Sequence, residues 1–350
     1  MITDKKYDTL VLIGRFQPIH NAHVEILRRA ISLAKELIII IGSAEQPRTY
    51  KNPFTYAERK MMLNNVLDQL YDSGDFDNTC RVHIESNIDT IYNDTAWMRR
   101  VQGIVSKYRV LGGKTGIIGH EKDNSSFYLN MFPQWEVEQV ELFEPLHATD
   151  IRDLYFREDA NMNFIRSVLP QPTVRWLEGW KGSPDYEQII KEREFVASFK
   201  KTYEGLPYAP TFNTGDAVVI CSGHVLMVKR RAEPGKGLWA LPGGYLMAEK
   251  DKSVRDCALR ELREETGLKV PLPVLQGNIA RSQIFDAIDR SPRGRIITQA
   301  FLIMLGAETT LPKVKGADDA KKAKWIALAD VKSELCFEDH FEIIQTMIGA

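Results

Sequence analysis

The sequence predicts two domains of different class: an N-terminal α/β domain on a parallel sheet with helices on both faces, and a C-terminal α+β domain. Three observations carry this. The chain has 350 residues, and at about 100–200 residues per domain two domains are expected, each long enough to bury a core. The first half alternates continuous apolar runs with helical periods, the pattern of strands covered by helices on both sides. The second half shows short strands around tight turns, with fewer helices.

Each element has its own signal. Thr9–Ile13 is an apolar run that stops at Gly14, and His20–Lys35 carries Val24, Leu27, Ile31 and Ala34 at helical spacing. Leu37–Ile41 is a second buried strand, ending in Gly42-Ser43. Helices are expected over Ala57–Leu70 and Asp94–Lys107, and strands over Arg81–Ser86 and Gly116–Gly119. Nucleotides bind such sheets at the carboxyl ends of the strands, where Gly14 and Gly42 stand. Pro170-Gln171-Pro172 is expected to break any helix, and Asp185–Tyr203 reads as a helix rich in Lys and Glu. The domain boundaries are set at 1–183 and 210–350, with a linker helix over 184–209. In the second half, Ala217–Cys221 and His224–Lys229 form a hairpin around Ser222-Gly223, and Leu241-Pro242-Gly243-Gly244 is a loop. A strong helix spans Ser253–Thr266, strands lie near Val274–Arg281 and Thr298–Leu305, and Glu338–Ile348 is helical.

Composition narrows the function classes. Hydrophobic residues at 44% and charged residues at 27% are ordinary for a soluble globular chain. Lys+Arg 46 against Asp+Glu 47 leaves no basic excess to neutralise a phosphate backbone, which argues against nucleic acid as the main partner. The longest aliphatic run, Leu37–Ile41, is too short to span a bilayer, and Met1–Lys6 leads into no secretory apolar core. The four cysteines, Cys80, Cys221, Cys257 and Cys336, are scattered with no CxxC pair. A reduced, cytoplasmic protein acting on small molecules is expected, and an oligomer is left open.

Two segments carry chemistry. Gly14-Arg15-Phe16-Gln17-Pro18-Ile19-His20-Asn21-Ala22-His23 joins the first strand to the first helix. Gly14 allows close approach of a phosphate to the backbone. His20 and His23, three apart, project beside the free N–H groups and the positive pole of the helix. Paired imidazoles there suit a triphosphate whose charge grows during displacement at phosphorus. In Arg260-Glu261-Leu262-Arg263-Glu264-Glu265-Thr266-Gly267-Leu268, the three glutamates fall at i, i+3 and i+4 on one helix face. Like charges at that spacing repel, and a hard divalent cation removes the repulsion. Ser253 with Asp256 reads as a capping box and Gly267 as the helix stop.

The first segment resembles the signature of the nucleotidylyltransferase superfamily, with Ala22 where the usual form has glycine. Asn52-Pro53-Phe54-Thr55, Glu58-Arg59, Tyr92-Asn93-Asp94 and Trp97 resemble the archaeal-type nicotinamide mononucleotide (NMN) adenylyltransferases. Thr149-Asp150-Ile151-Arg152 resembles the second superfamily signature, which implies that Thr149 caps a helix and Arg152 faces the phosphates of ATP. The resemblance implies a Rossmann-like fold for this half. It implies His20, His23 and Arg152 as catalytic, and Gly14, Arg15, Phe16, Asn52 and Thr149 as substrate-binding. Arg48 is a candidate for the mononucleotide phosphate, and Trp97 for stacking on a pyridine ring or packing into the core. Gly119 and Asp123 fall in a loop similar to an adenosine-side loop.

The second segment resembles the Nudix box, Gly-x5-Glu-x7-Arg-Glu-U-x-Glu-Glu-x-Gly-U, where U is aliphatic. Its second part matches completely. Lys252 stands where the box has its first Glu, Gly244 lies two residues too far away, and Glu249 or Asp251 is the candidate substitute. The resemblance implies Mg²⁺, with Mn²⁺ as an alternative, held by Glu261, Glu264 and Glu265, with Glu264 as ligand or base. Phe285, Asp286, Arg290, Arg293 and Arg295 resemble the substrate loop of ADP-ribose-type Nudix enzymes, and Gly316–Ala320 their late acidic loop. The order of the two halves resembles the bacterial bifunctional NMN adenylyltransferase/Nudix hydrolase proteins. That implies NAD and pyrophosphate from ATP and NMN, and AMP and ribose 5-phosphate from ADP-ribose. Two alternatives stay open: a Nudix half that only binds a regulatory ligand, and another acceptor such as nicotinate mononucleotide, phosphopantetheine or a flavin.

Overall fold

A computed structural model describes residues 5–74, 79–120, 128–141, 147–157, 162–306, 310–315 and 320–349. The chain divides into two compact units, Met1–Ile189 and Ile190–Ala350. The first contains β1 (Tyr7–Gly14), α1 (Asn21–Leu33), β2 (Ala34–Ile41), α2 (Tyr56–Asp72), β3 (Arg81–Ser86), α3 (Asp94–Tyr108), β4 (Thr115–Gly119), β5 (Glu136–Gln139), α4 (Ala148–Tyr155), α5 (Met162–Val168) and α6 (Gln171–Trp180). The strands form one sheet in the order β3-β2-β1-β4-β5, and every pairing is parallel. Leu10–Ile13 and Leu37–Ile41 are buried throughout, so both faces of the central strands are covered. One face packs Val11, Ile13, Ile38, Ile40 and Ile117 against Val101, Ile104 and Val105 of α3.

The divide between the units falls inside α7 (Pro184–Lys201). The second unit contains β6 (Thr211–Cys221), β7 (His224–Arg230), β8 (Trp239–Ala240), β9 (Gly243–Tyr245), α8 (Val254–Thr266), α9 (Leu272–Gly277), β10 (Ile279–Phe285), β11 (Arg295–Leu305), β12 (Ala320–Ala327) and α10 (His340–Ile348). Its mixed sheet runs β10-β11-β6-β7-β12, with β8 on β7 and β9 on β6. β11 pairs with β6 in parallel, and the other pairings are antiparallel. Leu259 and Leu262 of α8 pack on Ala217, Val219, Leu226 and Ile303.

Several boundaries differ from the sequence reading. The first helix stops at Leu33, and Ala34 already belongs to β2. Pro172 does not break a helix but begins α6, because proline lacks only an N–H that the first turn leaves unbonded anyway. Pro271 and the following proline begin α9 in the same way, so the strand expected from Val274 starts only at Ile279.

Candidate active sites

In the first unit the carboxyl ends of β1 and β2 meet, and Gly42 N–H donates to Gly14 O at 3.0 Å. A Cβ on Gly14 would lie 2.9 Å from Phe16 Cζ, so glycine is needed for the aromatic ring that folds back over it. Phe16 takes a left-handed φ of 52°, a strained turn for a non-glycine residue. Gln17 binds Phe54 both ways: its Nε2 donates to Phe54 O at 2.8 Å and its Oε1 accepts from Phe54 N at 3.0 Å. Arg59, 1% exposed, closes the frame. Its Nη1 donates to Arg15 O and Gly42 O, both at 2.7 Å, and its Nη2 to Ser43 O at 2.8 Å. One buried cation therefore fixes the turns after both strands.

His20 and His23 stand at the start of α1 with ring centroids 3.8 Å apart. His20 N–H donates to His23 Nδ1 at 3.3 Å. That assigns the proton of the neutral His23 ring to Nε2, making it a donor. The first turn of α1 holds no acidic side chain, so its positive end is left for an anion. Arg152 is buried. Its Nη1 donates to Gln17 O at 2.7 Å and its Nη2 to Thr149 Oγ1 at 3.1 Å, while the buried Nε has no partner among the described residues. Burial, and behind it the nearby Arg15 charge, pushes Arg152 down to about 10. Two guanidiniums within range of each other and an unmet donor suit a phosphate chain.

Other expected residues of this unit are placed differently. Thr149 is not the helix cap, which is His147; its hydroxyl receives Arg152. Arg48 is not presented as a free phosphate ligand: Nη1 and Nη2 pair with Glu58 at 2.8 and 3.1 Å, and Nη2 also reaches Asp185 at 3.1 Å. Trp97 packs half-buried against the α3-side core, near Phe132. Asn52 brings a buried Oδ1 without a partner among the described residues. Gly119 ends β4, and a Cβ there would lie 2.9 Å from Leu129 Cδ2. Asp123 lies outside the described residues.

In the second unit, Ser253 Oγ caps α8 by accepting from Asp256 N at 3.1 Å, and Gly267 stops it at φ 60°. The glycines of β9 rest on the glutamates of α8. A Cβ on Gly244 would lie 2.5 Å from Glu261 Oε1, and Gly243 N–H donates to Glu265 Oε2 at 3.0 Å. Arg260 Nη1 donates to Glu261 Oε1 at 2.7 Å and Glu264 Oε2 at 3.0 Å. Glu264 is the open member, its side chain 41% exposed against 13% for Glu261. Burial first, and then the Glu261 charge, pushes Glu265 up to about 8 against the pull of Gly243 N–H. Burial likewise raises Glu261.

No three His, Cys, Asp or Glu among the described residues stand together as a metal shell. The expected set of Glu261, Glu264 and Glu265 is thus not assembled here, because Arg260 and Gly243 N–H occupy its oxygens. The donor set still fits a hard divalent cation: carboxylates only, on one helix face, two of them pushed toward the neutral form by burial.

The expected substrate loop is largely structural. Phe285 is fully buried. Arg290 forms a buried ion pair with Asp339 at 2.8 and 2.7 Å. Asp286 and Arg295 pair with each other through a backbone bond and a 3.8 Å contact. Arg293 donates to Tyr245 Oη at 3.1 Å and Glu338 Oε2 at 3.2 Å. The sequence reading missed Arg230, whose guanidinium stacks 3.9 Å over Phe337 and feels the charge of Glu265. It also missed Tyr245. Both sit in ordinary-looking strands, and their only signal was an arginine at the end of β7 followed by Arg231, and an aromatic after the glycine pair. Gly316–Asp319 of the late acidic loop lie outside the described residues.

Both halves of the chain resemble known proteins. A cytidylyltransferase-like family model matches residues 11–169, and a NUDIX domain model matches residues 211–347. A crystal structure of a bifunctional NMN adenylyltransferase/ADP ribose pyrophosphatase from Francisella tularensis is 32% identical, with a TM-score of 0.86, covering 98% of this chain and 99% of that one. Another from the same organism, complexed with AMP and a Mn ion, is 31% identical with a TM-score of 0.85 over 98% and 99%. The nicotinamide/nicotinic acid mononucleotide adenylyltransferase of Acinetobacter baylyi is 37% identical over 186 residues, 53% of this chain and 92% of that protein. The ADP-ribose pyrophosphatase of Methanocaldococcus jannaschii is 34% identical over 131 residues, 37% of this chain and 69% of that protein.

Proposed function

The chain belongs to the family of bifunctional NMN adenylyltransferase/ADP-ribose pyrophosphatases, and from that premise we propose two reactions with the residues that carry them. In the first unit a phosphate oxygen of NMN attacks the α-phosphorus of ATP. The new P–O bond gives NAD, and the bond to the β-phosphate breaks to release pyrophosphate. No side chain becomes covalently attached, because the work is positioning and charge neutralisation. His20, His23 Nε2, the amino end of α1 and the buried Nε of Arg152, which has no partner among the described residues, serve the phosphates, with the exposed Arg15 adding charge. The observation that carries this reading is the close imidazole pair, tilted by 32°, at an acid-free helix start, together with a buried arginine with an unmet donor among the described residues.

In the second unit, ADP-ribose and water give AMP and ribose 5-phosphate. Glu261, Glu264 and Glu265 would hold a divalent cation, Mg²⁺ or Mn²⁺, which would neutralise the diphosphate as a Lewis acid. To do so, Glu261 and Glu264 would give up the Arg260 Nη1 they share. Glu264, the most open carboxylate, takes the proton from the attacking water. Arg230 and Arg293, laid on Phe337 and Tyr245, offer cationic and aromatic surfaces to the nucleotide.

Incubating the protein with Mg²⁺ and ADP-ribose tests the second reaction. AMP is expected from the wild type and only at background from Glu264→Gln; equal AMP from both contradicts the assignment. Competing NMN with nicotinate mononucleotide, phosphopantetheine and a flavin phosphate in an ATP-consumption assay tests the first. NMN is expected to win, and a clear preference for another acceptor would replace the NAD reading.

A further inference from the structure

The carboxylate that the Nudix box places eight residues before its arginine is absent here, and Lys252 occupies that position, exposed to solvent. Asp251, one residue earlier, is the carboxylate that Arg260 holds. Arg260 Nε donates to Asp251 Oδ1 at 2.7 Å, and Nη2 donates to Oδ2 at 2.8 Å, a two-pronged pair. The Asp251 side chain is only 1% exposed. It is held in turn by Met247 N–H at 2.9 Å, and Asp251 N–H returns to Met247 O at 2.8 Å. The two-residue extension of the loop therefore closes into a turn that delivers this shorter side chain to the arginine. Arg260 Nη2 also reaches Tyr245 O at 3.3 Å, so only Nη1 is left for Glu261 and Glu264.

We propose that Asp251 is a positioning residue for the cation site: it neutralises and anchors Arg260, so that Glu261 and Glu264 can leave Nη1 for a divalent cation without stranding a buried positive charge. Without Asp251, Arg260 has no carboxylate partner among the described residues other than the ligands, and competes with the cation for them. The inference rests on the hydrolase reading above, but its test does not depend on turnover.

The test is Mn²⁺ binding to the full chain, read from the electron paramagnetic resonance signal of free Mn²⁺, in wild type, Asp251→Asn, Asp251→Glu and the double variant Asp251→Asn/Arg260→Gln. Asp251→Asn is expected to bind Mn²⁺ about 10–100-fold more weakly, the usual range for loss of a partner that orients a ligand. Asp251→Glu recovers most of the affinity. The double variant, which removes the competing charge, returns to within about threefold of wild type, an interaction that a merely structural role would not produce. Asp251→Asn binding like wild type, or a double variant as weak as Asp251→Asn, overturns the proposal. If Asp251→Asn does not fold, the double variant decides alone, since it buries no unpaired charge. A wild type that binds Mn²⁺ but does not cleave ADP-ribose contradicts the hydrolase reading and leaves this comparison intact.

Discussion

His23 shows how one hydrogen bond sets a chemical role. Because its Nδ1 accepts from the His20 backbone, the opposite nitrogen carries the proton toward the helix start. Losing one such donor to developing phosphate charge costs about 10²–10³ in rate. His20→Ala is expected to lose NAD formation by that factor while ADP-ribose cleavage stays within about twofold, measured on one preparation. Arg59 acts differently, through three carbonyls of the strand-end turns. Arg59→Met is expected to lower the stability of the first unit by at least about 3 kcal/mol, from bonds between a charged donor and backbone, read by denaturant unfolding. The imidazoles were legible in the sequence because their spacing and their place after a strand are local. Arg59 was not, because its partners come from turns far apart in the chain. The ion pairs of Arg48 and Arg290 were hidden for the same reason: a sequence displays a cation but not the carboxylate that holds it.

At the scale of elements, helix starts and loops decide the sites. Thr55, Glu58 and Arg48 tie the start of α2: Thr55 N–H donates to Glu58 Oε2 at 2.7 Å while Arg48 binds the same carboxylate. Burial pushes Glu58 up, but Arg48 and the Thr55 N–H together bring it below the usual carboxylate range. A pKa lowered by folding gives stability that is present above the unfolded value, about 4.3, and lost as pH falls through the folded one. Glu58→Gln should therefore destabilise the first unit at pH 7 and narrow its gap to wild type by pH 3, by denaturant unfolding at both pH values. An equal gap at both pH values would remove Glu58 as the source. The Ser253 cap, the Gly267 stop and the glutamate face of α8 were readable in advance, since helix periodicity and capping are local. Asp251 was readable only as one of two candidate substitutes for the first glutamate of the box, because a loop's path is set by what it packs against.

For the whole molecule, two units with separate sheets and separate cores predict separable chemistry. Glu264→Gln should abolish AMP release from ADP-ribose and leave NAD formation within about twofold, since Glu264 contributes only to the second unit. The fold class of each half was legible from strand-helix alternation against hairpin signals, because those patterns record which faces are buried. The shared face of the three glutamates was legible too, but their bonds to Arg260 and to Gly243 N–H were not, because Gly243 lies on another strand.

The most direct test follows ³¹P NMR of the wild-type chain with ATP, NMN and Mg²⁺. The account predicts diphosphate resonances of NAD and those of pyrophosphate growing in equal amounts, and their loss in His20→Ala while that variant still converts ADP-ribose to AMP. No NAD from the wild type, or undiminished NAD from His20→Ala, would contradict it.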